Sequence, residues 1–357
     1  MQTENRNFGT ERFLLACIVL IWHANGINFL GITLPNNFNY GELTVLIFFV
    51  LSGYIISKAI NRYYSNNPIG FIKNRLISLV PPIYFFSYFS FFIQCNDLDY
   101  TNIGSEMQCS VPNLLANFYA IMPFKFLLDK ILQTTPLELL PILWAIRVEF
   151  LFYFICAGII YLNKKQRIND KSKFFWILIL LIGSFFGNLL IKDIKIASNM
   201  GYILYFLLGY LIFLTEKKKK NFNFLILIAL IFIFIHACYN TSINERHFQQ
   251  IFMESFDWIS LIRGLYVITL IVLIFSIKEK FIFSDKISNY LGKISFYIYI
   301  SPYVFIFYLS KHFLIDKNYL YIYVLPLTLF VSSITFNIYE KLILNIKYKI
   351  RLGKLYG

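Results

Sequence analysis

Ten apolar runs, each close to the length a helix needs to cross a bilayer, recur along the chain and leave little room for any other architecture. They cover 13–30, 42–60, 76–94, 139–162, 174–191, 199–215, 222–238, 258–277, 294–312 and 320–340. An eleventh apolar stretch, 114–128, is interrupted by Pro123 and Lys125. It reads as a short interfacial or re-entrant piece, with a further span as the alternative. Composition agrees. Of 357 residues 58% are hydrophobic and 15% charged, against about a quarter charged in a soluble domain. A soluble globular chain is excluded, and no stretch looks like an appended soluble domain. No small-residue cleavage site follows the first run, so it is read as a retained helix rather than a signal peptide. The expected fold is all-α, a polytopic membrane protein of ten transmembrane helices in a single membrane-embedded domain spanning 1–357.

Loop charge orients the chain. With the N-terminus in the cytoplasm, the inside segments carry 24 Lys and Arg and the outside segments 7, leaving Arg147 and Arg263 within the runs. That asymmetry follows the positive-inside rule and places both termini in the cytoplasm. The formal net charge of +14 is therefore mostly topology, helped by attraction to anionic lipid. The basic residues are scattered over many short loops, which argues against a nucleic-acid partner.

Against this apolar background a few polar residues stand out: His23, Glu42, Ser52, Arg147, Glu149, Arg263 and Glu340. An ionisable group at membrane depth is costly, which makes it a functional candidate by default. His23 lies inside the first run beside Trp22. Arg12 precedes it by eleven residues, about three turns and about 16 Å along the same helix face. An imidazole changes charge near neutral pH and suits proton transfer; a satisfied packing histidine is the plainer alternative. In the second run, Ser52–Gly53 interrupts an otherwise apolar helix. Either two helices pack closely there, or a backbone or ligand approaches.

At the third run, Lys73 and Arg75 stand at the cytoplasmic mouth, where they could bind the phosphates of a cytosolic cofactor or simply form a solvated basic cluster. Pro81 and Pro82 free backbone groups that a neighbour or cavity must satisfy. In the fourth run, Glu149, Phe152 and Tyr153 share a helix face. Arg147 is near in sequence but points elsewhere. A substrate-lined interior and a structural ion pair both fit this patch.

Other features are less telling. Cys17, Cys156 and Cys238 sit in apolar runs as packing residues. Cys95 and Cys109 flank an acidic loop and could form a disulfide in an oxidising compartment. Gly183 and Gly187 form a GxxxG, expected to serve close helix packing. The phosphate loop, the HExxH zinc motif and the GxSxG nucleophile elbow are all absent.

Four pieces, taken in order, resemble the acyltransferase family 3 membrane O-acyltransferases. Arg12 and His23 match the family's arginine and first-helix histidine. Gly41, Val45, Phe48, Phe49, Val50, Leu51, Ser52 and Gly53 match its second-helix pattern. Trp144, Glu149, Phe152 and Tyr153 match a later pattern. Leu291, Gly292, Ile294, Ser295 and Tyr299 match one near the end, with Phe296 in place of tyrosine. The likeness spans essentially the whole chain. It departs at Thr44, at Ala145, at Ser301–Pro302 (where many members have a histidine) and at Ser78, which replaces the second arginine of an R-x-x-R begun by Arg75.

The resemblance implies transfer of a short acyl group, most often acetyl, from cytosolic acyl-CoA to a hydroxyl, usually on a cell-envelope sugar. It implies a bacterial cytoplasmic-membrane location, with no metal and without the extracytoplasmic esterase-like domain fused to some members. His23 is the expected general base or acyl relay, and Glu149 orients it or the acceptor. Arg12 and Arg75 would hold donor phosphate or polarise the thioester, with Lys73 compensating for the missing arginine. Ser52, Trp144, Arg147 and Tyr153 complete the expected binding set. Two rival readings compete: a transporter or flippase of a lipid-linked glycan, since polar residues in helices also mark transport paths, and a scaffold needing neither His23 nor Glu149. Oligomeric state stays open.

Overall fold

The computed structural model describes residues 8–24, 28–29, 32–33, 38–96, 110–122, 125, 129, 138–165, 170–190, 194–217, 222–239, 258–276, 284–313, 315–316 and 319–351. Its elements are α1 (Gly9–His23), a two-residue antiparallel pair β1 (Asn28–Phe29) and β2 (Ile32–Thr33), α2 (Tyr40–Ala59), which runs into a π-helical turn (Ile60–Tyr64), and α3 (Pro68–Asn96). Then follow α4 (Val111–Tyr119), α5 (Leu143–Lys165), α6 (Asp170–Leu190), α7 (Ile194–Glu216) and α8 (Asn223–Tyr239). The last are α9 (Trp258–Ser276), α10 (Asp285–Ile300), α11 (Pro302–His312) and α12 (Leu320–Arg351).

All ten apolar runs carry helix, but not all of it is long. Six helical stretches have the length and apolarity to cross a bilayer: Tyr40–Tyr64, Pro68–Cys95, Leu143–Leu162, Asn199–Glu216, Trp258–Ser276 and Leu320–Arg351. The bent pair α10–α11 qualifies as one broken span. Phe174–Leu189 and Asn223–Cys238 are apolar but shorter. The chain is thus a helical, multi-pass membrane protein, with fewer full-length spans among the described residues than the ten expected.

The first run gives the clearest difference. Its helix ends at His23, with Ala24 N–H still bonding Leu20 O at 2.9 Å. The chain then folds back on itself, pairing Asn28 with Thr33 and Phe29 with Ile32. His23 therefore stands at the C-terminal end of a 15-residue helix, not midway along a longer one.

The described chain divides into two compact units: Met1–Leu15, Leu34–Asn66 and Ile160–Gly292 form one, and Ala16–Thr33, Asn67–Ile159 and Lys293–Gly357 the other. In the first, α7 packs against α2, α6 and α8, and α9 packs on α8 and α2. The α2–α7 crossing is set by glycines. A methyl group added at Gly53 would stand 2.1 Å from Phe206 O, and one added at Gly209 would stand 2.0 Å from Val50 O. Backbone meets backbone there, which makes Gly53 a point of close helix contact. Gly183 behaves otherwise: nothing lies within 4 Å of a methyl group placed there, so the expected GxxxG packing is not found at that glycine.

In the second unit, α3 packs against α4, α11 and α12. Pro81 and Pro82 lie inside α3. Pro81 has no N–H for the carbonyl of Ile77, one turn earlier. The hydroxyl of Tyr339 on α12 donates to that carbonyl instead. The freed group is satisfied by a neighbouring helix. Cys95, at the end of α3, is disulfide-bonded; Cys109 lies outside the described residues. Cys17, Cys156 and Cys238 are free thiols.

Candidate active site

The site's geometry begins at a break in a helix. Ser301 N–H makes the last α10 bond, to Tyr297 O at 3.1 Å. Pro302 has no N–H to continue the ladder toward Ile298. It can, however, open a new helix, where the missing donor costs nothing. α10 and α11 consequently meet at 48°. The Ser301 hydroxyl, buried at the break, lies 3.1 Å from that of Ser332 on α12. Tyr303, in the first turn of α11, is thereby aimed at His23.

The Tyr303 hydroxyl lies 2.6 Å from His23 Nδ1, with Nε2 further away at 3.5 Å. The hydrogen bond belongs to Nδ1. The two ring centroids are 4.8 Å apart, and Trp22 packs edge-on against the imidazole at 4.6 Å. His23 is thus half-buried between two aromatic side chains, with one ring nitrogen engaged.

The same unit holds a second group. On α5, Tyr153 donates its hydroxyl hydrogen bond to the Glu149 carboxylate one turn before it, as a shared helix face requires. The Arg75 guanidinium lies 5.4 Å over the Tyr153 ring and 5.6 Å over that of Phe71. Cation–π contacts of this kind are worth about 0.5–2 kcal/mol. They leave the guanidinium's hydrogen-bond donors uncommitted. Arg75 Nε is buried without a hydrogen-bond partner. Among the described residues, this arginine is held by rings rather than by a carboxylate. Tyr299, on α10, lies within electrostatic reach of both Glu149 and Tyr303. The hydrogen bonds of His23 and Glu149 go to different tyrosines, Tyr303 and Tyr153.

The other predicted residues fall as follows. Arg147 points away from Glu149: its Nε donates to Ala120 O at 2.9 Å and its Nη2 to Glu138 at 3.0 Å. Trp144 is half-buried in the first turn of α5, and Lys73 is exposed on α3. Arg12 and Ser52, both half-buried, belong to the first unit. Of the remaining intramembrane polar residues, Glu340 pairs with Lys347 at 2.9 Å and Arg263 is 2% exposed.

The structure also adds residues that sequence reasoning passes over. Tyr303 looks like one more aromatic among 26 tyrosines, and Tyr299, though part of the motif near the end, carried no assigned role. In the first unit, His236 is fully buried and lies 3.0 Å from the Tyr205 hydroxyl. Nearby, Glu42 accepts from Asn39 at 2.6 Å and from Tyr202 at 3.2 Å. A histidine inside the 222–238 run carries the same signal as His23 and could have been found that way. Among the described residues no group of three or more His, Cys, Asp or Glu is placed to hold a metal ion.

A protein-family model described as "Acyltransferase domain", that of acyltransferase family 3, matches residues 11–338. Comparison with curated proteins and with solved structures found no match.

Proposed function

The chain belongs to acyltransferase family 3, and from that premise we propose that it moves a short acyl group, acetyl by preference, from cytosolic acyl-CoA to a sugar hydroxyl of the cell envelope. The observation that carries the donor half is Arg75: an arginine lying over two rings, with a buried Nε left without a hydrogen-bond partner. A guanidinium in that condition suits the phosphates of a nucleotide-bearing donor. Lys73, exposed two residues earlier on α3, adds positive charge. Ten spans with both termini in the cytoplasm of a bacterium would put these basic groups on the side where acyl-CoA is made.

His23 supplies the chemistry in this reading. Its free ring nitrogen takes the proton of the acceptor hydroxyl as that oxygen attacks the thioester carbonyl carbon. The C–O bond forms, the C–S bond breaks, and the proton passes to the departing thiolate. The products are the sugar ester and free CoA. A general base of this kind contributes about 10²–10⁴-fold. Glu149 and Arg75 bind or orient, and no metal is required by the chemistry.

The test is direct. Membranes reconstituted with the chain, labelled acetyl-CoA and an envelope glycan extract should yield labelled glycan, and His23→Ala should abolish the label. Label transfer that survives His23→Ala removes the histidine from its central place. Glycan movement without acetyl-CoA consumption would replace the whole reading with transport.

A further inference from the structure

We propose that Tyr303 is a positioning residue that fixes the tautomer of His23, its hydroxyl accepting a hydrogen bond from Nδ1–H so that Nε2 is left as the base. The inference rests on the acyl-transfer reading above and assigns a role to a residue that reading does not use. One distance and one proton count carry it. The hydroxyl sits 2.6 Å from Nδ1, so a proton is shared there in one direction or the other. A neutral imidazole has a single N–H; if Tyr303 donated, the ring proton would sit on Nε2 and the ring could not take another there.

The break at Ser301–Pro302 exists, in this light, to aim one hydroxyl. In hydrolases with a Ser-His-Asp triad a carboxylate holds the imidazole. A phenol does the same work without burying a charge, which in an apolar interior avoids the desolvation penalty of a carboxylate. Trp22, edge-on to the ring, limits its rotation.

The tautomer can be read without turnover. The experiment records ¹⁵N-histidine solid-state NMR spectra of the full chain in liposomes, with His23→Gln identifying the His23 signals. In the wild-type chain the neutral His23 ring should carry its proton on Nδ1. In Tyr303→Phe that signal should move toward the Nε2–H form. The same variant should lose about tenfold to a hundredfold in kcat, the scale of a misplaced catalytic group, with KM for acetyl-CoA changed less than about twofold. A wild-type ring protonated on Nε2 overturns the proposal by itself, whatever the variant does. So does a Tyr303→Phe chain that keeps both the wild-type tautomer and the wild-type kcat. Because the spectra need no reaction, a wild-type chain that transfers no acetyl group counts against the proposed reaction and not against the pairing of Tyr303 with His23.

Discussion

Replacing Tyr339 by Phe should destabilise the protein through a single backbone carbonyl. Pro81 leaves Ile77 O without its helical donor, and the Tyr339 hydroxyl fills that place. Tyr339→Phe keeps the ring and its packing and removes only the donor. A carbonyl left unsatisfied costs about 1–3 kcal/mol in a protein interior. Hydrogen bonds between helices in a bilayer average about 0.6 kcal/mol and reach about 1.7. Both residues are half-buried, so the two ranges meet at about 1–1.5 kcal/mol. That is a sizeable share of a typical stability of about 5–15 kcal/mol. Reversible unfolding in mixed micelles, followed by helical circular dichroism, would measure it. The decisive step is a double-mutant cycle with Pro81→Ala. That substitution returns an N–H to Ile77 O, so Tyr339→Phe in the same chain should then cost close to nothing. A loss of the same size in both backgrounds, or no loss in either, would refute the claim that Tyr339 serves the carbonyl freed by Pro81.

Other perturbations have equally definite outcomes. Arg75→Ala should raise KM for acetyl-CoA by about 10–100-fold, the worth of one or two charge-assisted hydrogen bonds. Arg75→Lys should recover only part of that loss; steady-state kinetics on reconstituted membranes decides. Gly53→Ala should lower stability by about 1–3 kcal/mol, because the new methyl meets Phe206 O at 2.1 Å. Gly183→Ala, facing open space inside α6, should not destabilise and should gain up to about 1 kcal/mol in a thermal melt. Glu149→Gln should reduce kcat more than KM while the detergent-solubilised protein keeps its melting temperature within a few degrees; an unchanged kcat would remove the carboxylate from the reaction. Reducing the disulfide at Cys95 with dithiothreitol should leave the helical circular dichroism signal unchanged at room temperature, since a crosslink chiefly restrains the unfolded chain.

What could be read from sequence was what depends on neighbours in the chain. Glu149 and Tyr153 are four apart, and helix geometry alone brings them together. Pro81 announces a bare carbonyl wherever it falls in a helix. The apolar runs predicted helices because bilayer depth and helix rise are fixed numbers. Partners far apart in sequence gave no such signal. Tyr303 and His23 are separated by 280 positions, and nothing in a tyrosine's surroundings says which histidine it will meet. Attention at that point fell on the histidine missing at Ser301–Pro302, although the proline's real effect is to turn the next residue. Arg147 is near Glu149 in sequence but points elsewhere, and its partners, Ala120 and Glu138, are ones no local pattern fixes. The end of α1 was missed because hydropathy averages over a window and does not register where within an apolar run a helix stops.

The glycine crossing between α2 and α7 also bears on motion. Where two main chains touch at Gly53 and Gly209, neither rod can roll or slip without driving a carbonyl oxygen into the other. The pair must travel as one strut. Any opening for a substrate has to be found in joints that contain side chains, which can change rotamer, and not along this seam.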